Sequence, residues 1–233
     1  MSLNALPSLL AQNIYYINKQ IVDNLDRLAY LKSLDPQEFV YEGSPYYNEN
    51  FVKGDLYYGK NWRYPDVLLR YNIFNDEIEF LLEDKDQVYA IVPEKQITKI
   101  VMREDTFVVA EAPEGAQLVS GFYKKLAGGK VDLLAKMHVT FREKQPDKGF
   151  VKPDPAKFMR MKDLYYLHKE NEDVYRVSNI KKAIEYIGEK EDELEKFAKK
   201  EKISAGNESD LIKFMAYYYS LVSGKDSDSD AGM

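Results

Sequence analysis

The sequence predicts an α+β fold, in which a curled or barrel-like antiparallel sheet carries an N-terminal helix and a C-terminal helical segment. Apolar and polar residues alternate through residues 68–92, clusters of turn residues separate such stretches, and after Val177 the apolar spacing becomes helical. Because the helices follow the strands rather than alternating with them, we do not expect a doubly wound parallel sheet. We expect about eight to ten strands in a meander, within the usual range for one sheet.

The alternation is clearest on either side of the turn residues Asn75-Asp76 and the acidic cluster 84–86. Successive residues of a strand point to opposite faces of the sheet. The residues expected on the core face are Ile78, Phe80 and Leu82. The residues expected in water are Glu77, Glu79 and Glu83.

Several other segments have the pattern of strands. They are Val52–Tyr58, Val67–Phe74, Val88–Val92, Ile97–Arg103, Thr106–Glu111, Leu164–Leu167 and Val174–Val177. Residues 131–142 are predicted as one long strand, and residues 119–127 as either a strand or a short helix. Residues 59–66 are predicted as a loop between the first two strands.

Apolar residues spaced three or four apart predict helices in 14–31 and, after Val177, near 180–187, 194–198 and 211–222. Ser178 or Asn179 could cap the first C-terminal helix, and Asn207 or Ser209 the last. The predicted organisation is a leader and helix (1–34), a β domain (35–177), a helical segment packed on the sheet (178–222) and a disordered acidic tail (223–233).

Composition narrows the possible partners. The chain has 33 Lys and Arg against 39 Asp and Glu, and its net charge is −6. Since no basic block is concentrated in the sheet region, we expect no nucleic-acid partner. There is no cysteine, which excludes disulfides and thiolate chemistry, and no apolar run approaches the ~20 residues of a membrane span.

The N-terminal sequence LNALPSLLAQ allows two interpretations. It could be the remnant of a signal peptide cut after Ala11, with its start truncated or mis-assigned. It lacks a positively charged beginning and is broken by Pro7, so it could equally be a loose leader before a helix.

Residues 41–91 contain a Gly-Ser-Pro-Tyr segment at Gly43–Tyr46, Lys53-Gly54, an Arg-Tyr-Asn-Ile run at Arg70–Ile73, and Asn75–Glu77. In these motifs the chain resembles a group of uncharacterised exported β-rich proteins of Gram-negative envelopes. The resemblance implies a periplasmic or secreted location, with a cytoplasmic one as the alternative, and it implies no activity.

Motifs for catalysis are not apparent. His138 and His168 lie in separate segments without the spacing of a metal site, and neither Gly43-Ser44-Pro45 nor Ser120-Gly121 matches a nucleophile elbow. Carboxylates around Asp76 and Asp84 could do acid–base work, but solvated turns explain them more simply. We therefore expect no cofactor and no metal, and the absence of catalytic motifs favours a protein that is not an enzyme.

The aromatic content of the chain is unusual, because it has 19 tyrosines, several of them in adjacent pairs, and one tryptophan. Tyrosine suits half-buried sheet positions, so an ordinary structural role explains most of them. A recognition surface is the alternative, because Tyr and Trp offer rigid contact area with a polar tip. The candidate binding residues are Trp62, Arg63, Tyr64, Tyr58 and Arg70.

These observations leave three functional classes open. The first is a non-catalytic envelope or secreted protein that binds another protein or a surface component. The second is a carrier of a small apolar or sugar ligand held in the curl of the sheet. The third is a carboxylate-dependent hydrolase.

Overall fold

The structure is a computed structural model that describes residues 41–81, 88–144 and 154–223. The strands are β1 (Tyr41–Glu42), β2 (Val52–Tyr58), β3 (Trp62–Asn72), β4 (Glu77–Leu81), β5 (Val88–Ile91), β6 (Ile97–Met102), β7 (Asp105–Glu114), β8 (Gln117–Ala127), β9 (Val131–Lys136), β10 (Val139–Arg142), β11 (Ala156–Arg160), β12 (Leu164–Lys169) and β13 (Tyr175–Arg176). The helices are α1 (Ile180–Ile187), α2 (Glu191–Glu201) and α3 (Glu208–Ser223). None of these three helices is both long enough and apolar enough to cross a membrane.

The predicted α+β class with a mainly antiparallel sheet is confirmed. The described pairings are antiparallel except that of β1 with β11, which is parallel. Among the described strands the sheets are open rather than closed. The predicted leader and helix (1–34), the turn at 84–86 and the tail from 224 onwards lie outside the described residues.

The chain divides into two compact units. Of the described residues, the N-terminal unit comprises 41–81, 88–94, Val101–Arg103, 138–144 and 154–161. It contains the strand order β2–β3–β4–β5, with the last residues of β6 beside β2, and a second sheet of order β1–β11–β10. Within the part of the chain that the structure describes, the C-terminal unit comprises Lys95–Ile100, Glu104–Met137 and 162–223. It contains the order β13–β12–β9–β8–β7, the first residues of β6, and the helices.

Strand β3 is longer than predicted, because it begins at Trp62 and not at Val67. Residues 62–64, which were expected to lie in a loop, pair with β2, with Trp62 opposite Tyr58 and Tyr64 opposite Leu56. The register shifts between Gly54 and Leu56, where Asp66 has a positive φ of 56°. A bulge of this kind accommodates Pro65, which cannot donate a ladder hydrogen bond. The proline therefore interrupts the strand's register without ending the strand.

The single strand predicted for residues 131–142 is two strands in two different sheets. β9 pairs with β8 and β12, whereas β10 pairs with β11. Met137 and His138 separate them. The period of two continues through this break, which is why the sequence pattern does not reveal it.

The C-terminal helices pack on the sheet of their own unit. Asn179 caps α1 by accepting a hydrogen bond from the Lys182 amide at 2.9 Å, and Asn207 accepts one from the Asp210 amide at 3.0 Å at the start of α3. The buried cluster between these helices and the sheet consists of Val131, Leu133, Leu167, Val177, Ala183, Ile184, Ile187, Leu194, Leu211, Phe214, Met215 and Tyr218.

Tyrosines fasten α3 to the turn before β9. The hydroxyl of Tyr218 donates to Glu189 Oε1 at 2.5 Å, and Lys130 Nζ donates to Glu189 Oε2 at 3.0 Å. The hydroxyl of Tyr219 donates to the carbonyl of Val131 at 2.6 Å, and its ring lies so close to Gly129 that a side chain there would collide with it. These contacts give Tyr218 and Tyr219 a structural role.

We expect the protein to lose stability in alkaline solution. Burial raises the pKa of Tyr186 to about 12, and it also raises the pKa values of Tyr218 and Tyr219. Tyrosines in the unfolded chain ionise at about pH 10. Between about pH 10 and 12 the unfolded chain therefore binds fewer protons than the folded one, and the free energy of unfolding falls as pH rises.

Urea denaturation at pH 8, 10 and 11 measures this fall, and Tyr218→Phe should make it shallower. A free energy of unfolding that stays constant from pH 8 to 11 would contradict the assignment.

Candidate functional site

Three of the five candidate binding residues share one face of the β2–β3 hairpin. Trp62 lies opposite Tyr58 in the antiparallel ladder, and Tyr64 follows two positions along the same strand. Opposed residues and residues two apart project to the same face. We call this group, Trp62, Tyr64 and Tyr58, the Trp62 face.

Trp62 is the most exposed part of this face. Its side chain is 57% exposed, more than any other large hydrophobic residue in the described parts of the chain. Tyr64 and Tyr58 are half-buried. The ring of Trp62 is therefore presented to solvent from a paired strand with two tyrosines behind it.

Tyr58 is held by a neighbouring carboxylate. Burial raises its pKa, and the charge of Glu94, to which Tyr58 is hydrogen bonded, raises it further. The hydrogen bond with Glu94 gives the Tyr58 hydroxyl, at the base of the Trp62 face, a defined partner.

Arg63 points to the other face of the hairpin, with Tyr57 opposite it. Its guanidinium donates from Nη2 and Nε to Asp55 Oδ2, at 2.7 and 3.2 Å. The Asp55 carboxylate also accepts the Asp66 amide, and hydrogen bonding by Arg63 is the largest cause that lowers its pKa. The side chain of Arg63 remains 57% exposed, so it borders the hairpin as an oriented, accessible cation.

Arg70 is not part of this surface. Its Nε and Nη2 donate to Glu79 Oε2, and its Nη1 donates to the carbonyl of Glu49 at 3.0 Å. Its guanidinium carbon lies 3.8 Å from the ring centre of Tyr46 and 4.4 Å from that of Phe51. These contacts attach residues 46–51 to the sheet, and they make Arg70 a structural residue in this arrangement.

The expectation that Glu79 is exposed to water is wrong, because Glu79 belongs to the same set of contacts as Arg70. Glu79 is only 9% exposed, and it also accepts a hydrogen bond from Asn72 Nδ2 at 3.1 Å. The predicted alternation is right, since Glu79 lies on the face opposite Ile78. That face is covered locally by Tyr46 and Phe51. The alternation of residues in β4 does not predict where these two side chains lie.

Phe80 is also less buried than expected. It is half-buried and stacks on Tyr89, with ring centres 5.1 Å apart. Ile78, which is fully buried, is the core residue of β4.

A pocket of about 380 Å³ lies elsewhere in the N-terminal unit, and the sequence did not indicate it. It forms where the segment after β1 passes over β11. Its lining residues are Gly43, Ser44, Tyr46, Tyr47, Ile73, Phe158 and Arg160. The glycine and proline near residue 43 were visible signals of a special backbone, but β11 itself had not been predicted.

The described residues contain no cluster of three or more His, Asp or Glu side chains placed to hold a metal ion. His138 is exposed in the connection between β9 and β10, and His168 lies on β12.

Comparisons of the chain with protein-family models, with curated proteins and with solved structures found no match.

Proposed function

We propose that this protein is a non-catalytic binding protein of the cell envelope or the extracellular space. It recognises another protein or a surface component through the Trp62 face. The observation that carries the proposal is the 57% exposure of Trp62 on a paired strand, backed by Tyr64 and Tyr58. The location is supported by the resemblance of residues 41–91 to exported envelope proteins.

The composition of this surface suits recognition. Trp, Tyr and Arg are the residues most enriched among those that dominate binding energy at interfaces. Trp62 and the two tyrosines supply aromatic contact area, and the tyrosine hydroxyls add polar groups.

The rigid ladder supports the proposal further. A hairpin whose strands are paired up to Trp62 and Tyr58 presents its aromatic rings in a fixed arrangement. Preorganisation of this kind lowers the entropic cost of association.

Trp62→Ala is expected to weaken binding without weakening the fold. A central aromatic contact contributes about 2 kcal/mol or more, which corresponds to a loss of affinity of roughly 30-fold. The thermal midpoint should remain nearly unchanged, because more than half of the side chain is in solvent.

The test uses immobilised protein to capture a partner from an envelope extract, followed by titration of that partner against wild type and variants. Leu118→Ala is the matched control, because Leu118 is an exposed apolar residue (50%) on another hairpin, and it should bind as wild type does. Undiminished affinity of Trp62→Ala, or a large fall in its thermal midpoint, would overturn the proposal. Capture of the partner from a cytosolic extract alone would contradict the envelope location.

A further inference from the structure

The Trp62 face includes a carboxylate beside its aromatic rings. The hydroxyl of Tyr58 is hydrogen bonded to Glu94, whose side chain is half-buried. Because Tyr58 lies directly opposite Trp62 in the ladder, their side chains are neighbours on one face of the hairpin. The tip of the Tyr58 ring therefore holds an anionic group on the side of the hairpin where the indole is exposed.

The cations nearest in sequence are directed elsewhere. Lys95 pairs with Glu111 at 2.8 Å, and Arg63 points to the other face of the hairpin, where it pairs with Asp55. Within 41–81, 88–144 and 154–223, no lysine or arginine forms an ion pair with Glu94. A half-buried carboxylate is stabilised by a cation that donates hydrogen bonds to it.

The N-terminal unit contains the same combination of groups with a cation in place. Arg70 Nε donates to Glu79 Oε2 at 3.0 Å, and the guanidinium carbon lies 3.8 Å from the ring centre of Tyr46 and 4.4 Å from that of Phe51. A planar guanidinium can thus stack on aromatic rings while it donates hydrogen bonds to a carboxylate. The Trp62 face presents the same two kinds of group, aromatic rings and a carboxylate, next to solvent.

We propose that the Trp62 face binds an arginine side chain of a protein partner, with the guanidinium over the indole of Trp62 and its N–H groups on Glu94. The inference rests on the proposed function, and it narrows the partner to a protein with an exposed arginine. Tryptophan is the aromatic side chain that attracts a cation most strongly, and a carboxylate accepts two parallel hydrogen bonds from a guanidinium. The net charge of −6 favours the approach of a basic partner.

The experiment is a titration of the whole chain, followed by the fluorescence of Trp62, with capped Gly-Arg-Gly, Gly-citrulline-Gly and Gly-Lys-Gly peptides and methyl glucoside as the probes. Citrulline has nearly the shape of arginine but no charge. The arginine peptide should bind about 10-fold more tightly than the citrulline peptide, because both the cation–π contact and the charged hydrogen bonds need the cation. The lysine peptide should bind more weakly than the arginine peptide, since an ammonium group cannot form the paired hydrogen bonds.

Glu94→Gln should remove most of the preference for arginine over citrulline. Glu104→Gln is the matched control, because it removes the same charge at an exposed turn outside the Trp62 face, and it should keep the preference. Equal affinities for the arginine and citrulline peptides, tighter binding of methyl glucoside, or no fluorescence change with any probe would overturn the inference. The comparison of probes on wild-type protein decides the question even if Glu94→Gln does not fold.

Competition against the captured partner separates this inference from the proposed function. The arginine peptide should displace the partner, and the citrulline peptide at the same concentration should not. A partner that Trp62→Ala no longer binds, but that the arginine peptide does not displace, would overturn the inference and leave the proposed function standing. A partner that binds Trp62→Ala as tightly as wild type would instead overturn the proposed function.

Discussion

Replacing Phe214 by alanine should lower the free energy of unfolding by about 3–5 kcal/mol. Phe214 is 1% exposed and lies in the cluster that joins α3 to α1 and to β9. The substitution removes a whole ring from a close-packed interior, and the surrounding side chains can only partly fill the cavity. Urea denaturation measures the change.

Ile212→Ala is the matched control for this substitution, because Ile212 lies on the same helix and is 37% exposed. It should cost less than about 1 kcal/mol. Comparable losses at the two positions would mean that α3 packs on the sheet with a different face.

Replacing Glu79 by alanine should lower the free energy of unfolding by about 3 kcal/mol. The change leaves the Arg70 guanidinium without its carboxylate, although the arginine stays beside the rings of Tyr46 and Phe51. It also removes the acceptor of the Asn72 amide. The side chains of Arg70 and Glu79 are only 18% and 12% exposed, so water restores little of what is lost.

The double variant Arg70→Met/Glu79→Leu distinguishes the net contribution of the ion pair to stability from the cost of leaving one buried charge unpaired. Since it leaves no unpaired charge, it should cost much less than the sum of the single changes. Glu104→Ala, at an exposed turn, is the control and should be within about 0.5 kcal/mol of wild type. A near-neutral Glu79→Ala, which alternation alone would suggest, would show that the loop does not cover this face.

The alternation of apolar and polar residues was sufficient to predict which residues of β4 share a face of the sheet. It was not sufficient to predict whether each face is exposed to water. It placed Ile78 and Glu79 on opposite faces, and the structure agrees. Whether a face meets water depends on what packs over it, and Tyr46 and Phe51 come from a segment with no strand or helix pattern. A non-local contact of this kind has no signature in the spacing of residues along β4.

The predicted strand boundaries were wrong at positions where local sequence rules conflict. Residues 59–66 were predicted as a loop, but a bulge at Asp66 allows β3 to begin at Trp62 and to continue through Pro65. Alternation through Met137 and His138 argued for one strand, although the chain changes sheets there. In the helices, where spacing and capping residues agree, the predictions at Asn179 and Asn207 were confirmed.

The sequence analysis named the residues of the candidate site, but it predicted only part of their arrangement in space. Trp62, Tyr64 and Tyr58 come together because the register of β2 and β3 brings them to one face. Arg63 was separated from them by the same alternation, and Arg70 by its pairing with Glu79. The pocket at Arg160 could not be anticipated, because it requires β11 to lie beneath Gly43.

Trp62 is the single tryptophan of the chain, so its fluorescence reports on the proposed contact face alone. Binding through the Trp62 face is tested most directly by iodide quenching of this fluorescence, with and without a saturating amount of the captured partner. We expect strong quenching in the free protein and protection in the complex, because binding through the Trp62 face removes the indole from solvent. Weak quenching in the free protein, or quenching that the partner leaves unchanged, would contradict recognition through the Trp62 face.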